Sequence, residues 1–477
     1  MQDISLIRWV KHIARFIITA IAIIYSHVPI NLRRSFLYYY KKNSFLKEEK
    51  AVFYSFDSHW NSIESFLPVL YWLKEEMGYR IISFWGVEDQ CRYIPGNEIY
   101  LEMLINVSDV VVLNRFASLP FTGQMSRLDQ IVHLAKNVFY SNFMRYSYSR
   151  DCISIFKKYN VVSILRVMDA DVRIWEWLYK CFPSIKHIAH PHGGFIGMLH
   201  IPDEMWLQEY KRKIDKLTWT DTSCFDGPEE GSYKTFRERC VVVGTPRYDE
   251  WWRKKINNLD YRIPLFQKKI LAERKKRKVV LVCLGALRIF AITQPRDIEV
   301  TLNELNELKG FLLNYNKSEV LFIFKFHPMT IALPDAFNTF FQNYVPKSQF
   351  EFQVTNLPLT FIAQYVDLVI TVGVSTVAMD SVITGVPTIE FHEKREFAYW
   401  YKCPDGTYGS FLKLHQLALY ASNAQELRYW TNLVFENKVS WDGYYQKLQK
   451  YIMLDGNASR RVGDIVKQYA ESCKWGG

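Results

Sequence analysis

Two short stretches of the chain carry the residue types that bind and neutralise phosphate. The first, residues 320–328, is an apolar run, Val-Leu-Phe-Ile-Phe-Lys-Phe, closed by His327 and Pro328. Proline ends a strand and restricts the residue before it, so His327 is held at the strand's carboxyl edge. An imidazole there can donate a hydrogen bond to a phosphate and stabilise a departing nucleotide; it can equally cap nearby backbone, and one dipeptide leaves both roles open. The second stretch, residues 367–376, runs Asp-Leu-Val-Ile-Thr-Val-Gly-Val-Ser-Thr. It reads as a strand, a turn at Gly373 and a helix opening at Ser375 and Thr376, whose free amides and positive dipole end attract an anion. Either hydroxyl also serves as a plain helix cap, a role compatible with phosphate binding. Residues 385–390, Gly-Val-Pro-Thr-Ile-Glu, complete a strand-turn-helix-strand unit and offer Glu390 to a nucleotide hydroxyl or base, or to solvent as an edge residue.

The first half of the chain has its own candidates. His190-Pro191-His192-Gly193-Gly194 follows one short apolar run, and Gly244-Thr245-Pro246-Arg247-Tyr248-Asp249 follows another. Glycine lets backbone approach a ligand closely. His192 in such a loop can act as general base on an acceptor hydroxyl, or as a turn residue that satisfies local amides. Arg247 can pair with a phosphate across a cleft or with Asp249 at the surface. Asp57 and Asp169 each follow a strand and can bind an acceptor, and Asp169 can also serve as its base; a structural turn is the other reading of Asp57. No His/Cys spacing suits zinc.

These residues need a scaffold that sets them at strand ends, and the hydrophobic pattern supplies one. Short β-branched and aromatic runs alternate with helical periodicity, the mark of an α/β chain. Strands are expected near residues 51–57, 80–85, 109–114, 161–167, 186–190 and 241–244, with a helix over 60–76. After a polar, helix-prone stretch at 256–278 a second series follows, at 279–284, 320–326, 350–354, 367–372 and 388–391, with helices around 298–314 and 376–384. In open parallel sheets ligands sit beyond the carboxyl ends of the strands, where the candidates above fall. We expect an apolar and basic helix at 1–40, a Rossmann-like acceptor domain at 41–265, a Rossmann-like donor domain at 266–440 and helices at 441–477. Neither a GxxxxGK[ST] nor a GxGxxG fingerprint occurs, which weighs against ATPases and NAD enzymes.

At 477 residues, 49% hydrophobic and 23% charged, the chain is globular and long enough for two cores. The net charge of +11 suits anionic partners of many kinds. The basic residues are dispersed and no nucleic-acid signature accompanies them, so nucleic acid is not an expected partner. Eight scattered cysteines without a CxxC pair read as free thiols of a cytosolic protein. Residues 13–30 are apolar between basic flanks, but their densest core, 16–25, is shorter than a membrane span; an interfacial helix and a core helix both fit.

The order Lys-x-His-Pro, then Asp-Leu-Val-Ile-Thr with a Ser/Thr pair, then Gly-Val-Pro-Thr-Ile resembles the donor half of GT-B glycosyltransferases that use cytidine nucleotides: bacterial sialyltransferases, polysialyltransferases and Kdo transferases. It is similar also to CDP-glycerol glycerophosphotransferases of teichoic-acid synthesis. The HG and G-x-P-R-x-D stretches, and residues 454–462, resemble the same surface-polysaccharide enzymes. The resemblance implies two Rossmann-like domains facing each other across a cleft, no cofactor, and a nucleotide-activated sugar, with a CMP-linked ulosonic acid favoured, passed to a glycan or lipid-linked glycan. It implies that His327 contacts the donor phosphate, that Ser375 and Thr376 bind the phosphate or the ribose-phosphate, and that Gly285 lies in the loop facing the nucleotide. Arg288, Lys325, Pro328 and Glu390 are read as further donor contacts, and His192, Asp169 and His327 as the residues in the chemistry. Acceptor contacts are expected from Asp57, His190, Gly193 and Arg247. A polyol-phosphate transferase and a sugar-nucleotide-binding module without turnover are the alternatives, and the inner face of the cytoplasmic membrane is the expected location. Asp169-Ala-Asp171 has the spelling of a metal-binding DxD, but in this fold helix dipoles and basic side chains do a metal's work. Activity is therefore expected to survive saturating EDTA; loss on chelation with recovery on Mg²⁺ or Mn²⁺ refutes this and makes Asp169 and Asp171 ligands.

Overall fold

The computed structural model describes residues 37–56, 60–85, 98–114, 152–167, 182–190, 215–219, 238–259, 262–285, 295–327, 334–345, 351–355, 357–373, 376–393, 401–404, 406 and 408–472. The first sheet contains β1 (Leu37–Lys42), β2 (Lys50–Phe56), β3 (Arg80–Trp85), β4 (Val110–Asn114), β5 (Asn160–Val167), β6 (Lys186–His190), β7 (Lys216–Trp219) and β8 (Cys240–Val242), in the order β1-β4-β3-β2-β5-β6-β7-β8. All pairings are parallel except β1 with β4, which is antiparallel at the edge. Residues 37–40, assigned from sequence to the amino-terminal helix, are part of β1: Leu-Tyr-Tyr-Tyr packs better on a pleated surface than in a helix.

Helices α1 (Trp60–Glu75) and α2 (Glu98–Val107) cover one face of this sheet. The chain then leaves β8 through a 3₁₀ turn at Pro246–Tyr248 and passes α3 (Glu250–Leu259) and α4 (Arg262–Arg274). The second sheet is wholly parallel, in the order β11 (Phe352–Thr355), β10 (Val320–Phe326), β9 (Lys278–Leu284), β12 (Leu368–Val372), β13 (Thr388–Phe391) and β16 (Leu419–Ala421). Its strands read as unbroken apolar runs because helices bury both faces, α5 (Pro295–Leu312), α6 (Pro334–Tyr344) and α10 (Ala424–Phe435) on one side and α4, α7 (Leu359–Ile362) and α8 (Thr376–Ile383) on the other. The small ribbon β14 (Tyr401–Lys402) and β15 (Tyr408–Gly409) precedes α9 (Phe411–Leu414).

A single hydrophobic core joins the halves. Ile63, Leu67 and Leu70 of α1 belong to the same buried cluster as Ile263 and Ile270 of α4, Leu281 of β9 and Ile323 of β10. After α11 (Asp442–Leu448) the chain returns to the first sheet as α12 (Ala458–Ser472), burying Val462, Val466 and Ala470 in that cluster. Asp249 accepts the amides of Ala458 at 3.0 Å and Ser459 at 2.7 Å, so a carboxylate just after the 3₁₀ turn satisfies two free donors at the start of α12. Cys152, Cys240, Cys283 and Cys403 are buried thiols. Among the described residues no helix is long and apolar enough to cross a membrane, and residues 13–30 lie outside them.

Gly244 takes φ +84°, and a methyl group there collides with the Met453 carbonyl. Gly244→Ala is expected to cost about 2 kcal/mol or more, from left-handed strain and a backbone clash together, read as a lower urea midpoint. An unchanged midpoint contradicts the packing of residue 453 on this turn.

Candidate functional site

The strand order of the second sheet reverses between β9 and β12, the place where an open parallel sheet leaves a crevice at its carboxyl edge. Gly285 follows β9 and Gly373 follows β12. The Gly285 amide donates to the Val372 carbonyl at 3.1 Å, and a methyl on Gly285 meets that oxygen at 2.9 Å, so a side chain does not fit without movement. Gly373 turns at φ +76°, its amide donates to Phe391 at 2.8 Å, and the chain then enters α8 at Thr376. The amino-terminal end of α8 thus follows the carboxyl edge of β12. His327 is half-buried directly beyond β10, the strand beside β9.

One residue short of these strand ends, the register sets a polar row across the sheet. Lys325 pairs with Cys283, Cys283 with Thr371, and Thr371 with Glu390. Residues in register on parallel strands share a face, whereas Phe324, Val282, Ile370 and Ile389 on the opposite face are fully apolar. Burial holds the Lys325 ammonium below its usual range, with Cys283, Glu64 and Asp380 pulling the other way. The Cys283 thiol is pushed up to about 12 by burial. Glu390 is 1% exposed and accepts a hydrogen bond from the Ser410 hydroxyl, which excludes a solvated edge role. Burial raises its carboxyl to about 7, against the opposing pull of Ser410 and Lys413.

The first-sheet candidates divide. His190 ends β6 but is 2% exposed; its Nδ1 lies 2.9 Å from the Thr218 hydroxyl, and its ring packs on Phe66. Burial, with the nearby charge of Arg247, lowers it to about 3 and keeps the ring neutral. His190, expected among the acceptor contacts, is thus enclosed by Thr218 and Phe66. Arg247 is also buried, and it does not pair with Asp249. Its guanidinium donates to Asp380 at 2.6 Å and lies 3.8 Å from Glu64, while Asp249 caps α12. Burial works against that charge, but Asp380, Tyr248 and Glu64 outweigh it and keep Arg247 protonated. The Tyr248 hydroxyl donates to Asp380, and the Thr360 hydroxyl donates to Glu64 at 2.8 Å.

The structure thus brings Lys325, Glu390, Gly285, His327 and the start of α8 to one sheet edge, and sets Arg247 and His190 into the junction beside it. Asp57, Asp169, Asp171, His192, Gly193, Arg288, Pro328 and Ser375 lie outside the described residues, as does the Thr376 side chain. Among the described residues no three His, Cys, Asp or Glu side chains form a metal-holding group. Sequence reasoning missed Glu64, Asp380 and Ser410. The signal for Asp380 was present: it is the one charge in the helix Thr-Val-Ala-Met-Asp-Ser-Val-Ile, whose other side chains suit a buried position.

Glu390 has a measurable signature. Its folded value, about 7, exceeds the ordinary 4.5, so the folded chain binds this proton more tightly than the unfolded one. That stability is complete below pH 4.5 and is lost as pH rises through about 7. Relative to Glu390→Gln, the wild-type melting temperature should fall across this window and then run parallel; a constant difference throughout refutes a buried, proton-binding Glu390.

No protein-family model matches the sequence, and no curated protein matches it. Solved structures do share its architecture. The UDP-GlcNAc 2-epimerase of Neisseria meningitidis bound to UDP-GlcNAc has a TM-score of 0.54 at 12% identity, over 88% of this chain and 100% of that one. The UDP complex of S. aureus MnaA has a TM-score of 0.53 at 11% identity, over 89% and 97%. A glycosyltransferase from Rickettsia africae ESF-5 has a TM-score of 0.52 at 11% identity, over 88% and 99%. At such identities the likeness is one of architecture, and on it the chain has the GT-B fold, two Rossmann-like α/β domains.

Proposed function

We propose that the chain is a glycosyltransferase that takes a sugar from a nucleotide donor and adds it to a surface polysaccharide or lipid-linked glycan, with a CMP-linked ulosonic acid such as Kdo or a sialic acid as the favoured donor. The observation that carries this reading is the carboxyl edge of the second sheet. There the switch point of the strand order, Gly285 with no room for a side chain, the start of α8 and His327 fall along one sheet edge. Free helix-start amides and a histidine are a built-in answer to the charge of a leaving phosphate. Proteins of the same fold are bound to UDP-GlcNAc and to UDP, which supports a nucleotide-sugar partner and leaves the base to the favoured reading above.

In the mechanism, His192, or Asp169 in its place, removes the proton of an acceptor hydroxyl held with help from Asp57 and Gly193. The acceptor oxygen bonds to the anomeric carbon as the bond from that carbon to the phosphate oxygen breaks, and its electron pair leaves with the nucleotide. The charge that develops there is met by His327, the amides at Ser375 and Thr376, and the cations Lys325 and Arg288. Glu390 is buried behind the crevice and acts through Ser410 and the α9 start, so its part is to shape the nucleotide's seat. A net charge of +11 and the apolar stretch 13–30 support peripheral association with the inner membrane face.

The two halves of the site are tested separately. His327→Ala is expected to weaken nucleotide binding and slow turnover together, since its contact acts in ground and transition states. His192→Ala should leave nucleotide affinity nearly intact and lower turnover by about 10²–10⁴. Thermal-shift titration with CMP, CDP, UMP, UDP and GDP names the nucleotide. Normal CMP binding by His327→Ala overturns the donor site; near-normal turnover by His192→Ala moves the base to Asp169, Asp57 or Asp171.

A further inference from the structure

At the junction of the two domains four charges meet, one acid and one base from each side. Glu64 on α1 and Arg247 on the 3₁₀ turn belong to the first domain; Asp380 on α8 and Lys325 on β10 belong to the second. Two hydrogen-bonded crossings span this junction, one at Arg247 and one at Glu64. Arg247 donates to Asp380 at 2.6 Å, assisted by the Tyr248 hydroxyl, and the α7 residue Thr360 donates to Glu64 at 2.8 Å. The side chains of Arg247 and Asp380 are 4% and 9% exposed, so water can replace neither partner. Separating the domains here strands buried charges, which is far costlier than breaking a surface pair.

The first-domain partner Arg247 is itself fixed. Arg247 follows Gly244, which is packed against Met453, and precedes Asp249, which caps α12. On the other side, α8 is only eight residues long, and Asp380 stands about one turn beyond its start. A helix this short is not stiff by its own hydrogen bonds and takes its position from what its side chains hold.

We infer that Arg247 and Asp380 are positioning residues: through their ion pair, with Glu64 behind it, the first domain sets the start of α8, and so aligns the donor phosphate with the acceptor base. This rests on the donor reading above only for its last clause. The pair touches no substrate in this scheme and acts through α8. A misalignment of about an ångström at reacting atoms suffices to cost on the order of 10²-fold in rate, so a modest loosening is visible in turnover.

The test uses the full chain and two conservative variants. Arg247→Lys keeps the charge but loses the planar fork, and Glu64→Gln keeps an acceptor for Thr360 but loses the charge. In hydrogen exchange without ligand, amides of residues 376–383 are expected to exchange roughly tenfold faster in both variants, while β9 and β10 stay protected as in the wild type. In kinetics, turnover should fall roughly tenfold or more, with CMP affinity within about threefold of wild type. Unchanged exchange at α8, loosening spread evenly over the second sheet, or unchanged turnover per folded molecule overturns the inference. If Arg247→Lys does not fold, Glu64→Gln carries the same comparison. A wild-type protein that binds none of the nucleotides defeats the donor reading alone, because the exchange measurement needs no ligand.

Discussion

A guanidinium removed from water must be matched by acids close at hand, and Arg247 meets that demand with one carboxylate from each domain. The requirement explains why the stretch around it is so constrained. Gly244 gives the backbone room, Pro246 and Tyr248 shape the 3₁₀ turn, and Asp249 turns away to hold α12. The apolar core that runs from α1 through α4 to β9 and β10 surrounds this polar point and excludes the water that would otherwise screen it. Electrostatics here is specific where the core is not: apolar surfaces can meet in many alignments, whereas a buried ion pair is satisfied in few.

The second sheet repeats the division between generic and specific on a smaller scale. Its two faces carry different rows at the same level, Phe324, Val282, Ile370 and Ile389 on one and Lys325, Cys283, Thr371 and Glu390 on the other. The polar row is tolerable because it lies near the strand ends, where charge partners and hydroxyl donors from neighbouring elements reach it. Ser410 does so for Glu390, and Asp380 and Glu64 influence Lys325.

Most of the strands were legible because their period and composition are local properties: 80–85, 186–190 and 388–391 coincide with β3, β6 and β13. The β1 residues were hidden by the apolar stretch before them, and β7 and β16, of four and three residues, are too short to show a period. At the site, the carboxyl-edge positions of Gly285, His327 and Glu390 followed from strand ends. The partner of Arg247 did not, since Asp380 is 133 residues away and no local pattern encodes such a pairing. The surroundings of His190 were hidden for a related reason: its strand-end position was legible, but only the fold shows Phe66 and Thr218 enclosing it.

The return of α12 to the first sheet has a bearing on how the chain is made. Lys50, in the second strand, donates to the Ala470 carbonyl at 3.5 Å, and Gly463 lies so close to Met77 and Trp72 that an added methyl group meets Met77 at 2.7 Å. During synthesis on the ribosome, these amino-terminal surfaces emerge hundreds of residues before the helix that covers them. The second sheet, by contrast, draws its strands from consecutive sequence and can close as it is made. Domains commonly fold in the order in which they are translated; here the domain that begins first is completed last, and its apolar flank stays open to chaperones or to misassociation until residues 458–472 arrive.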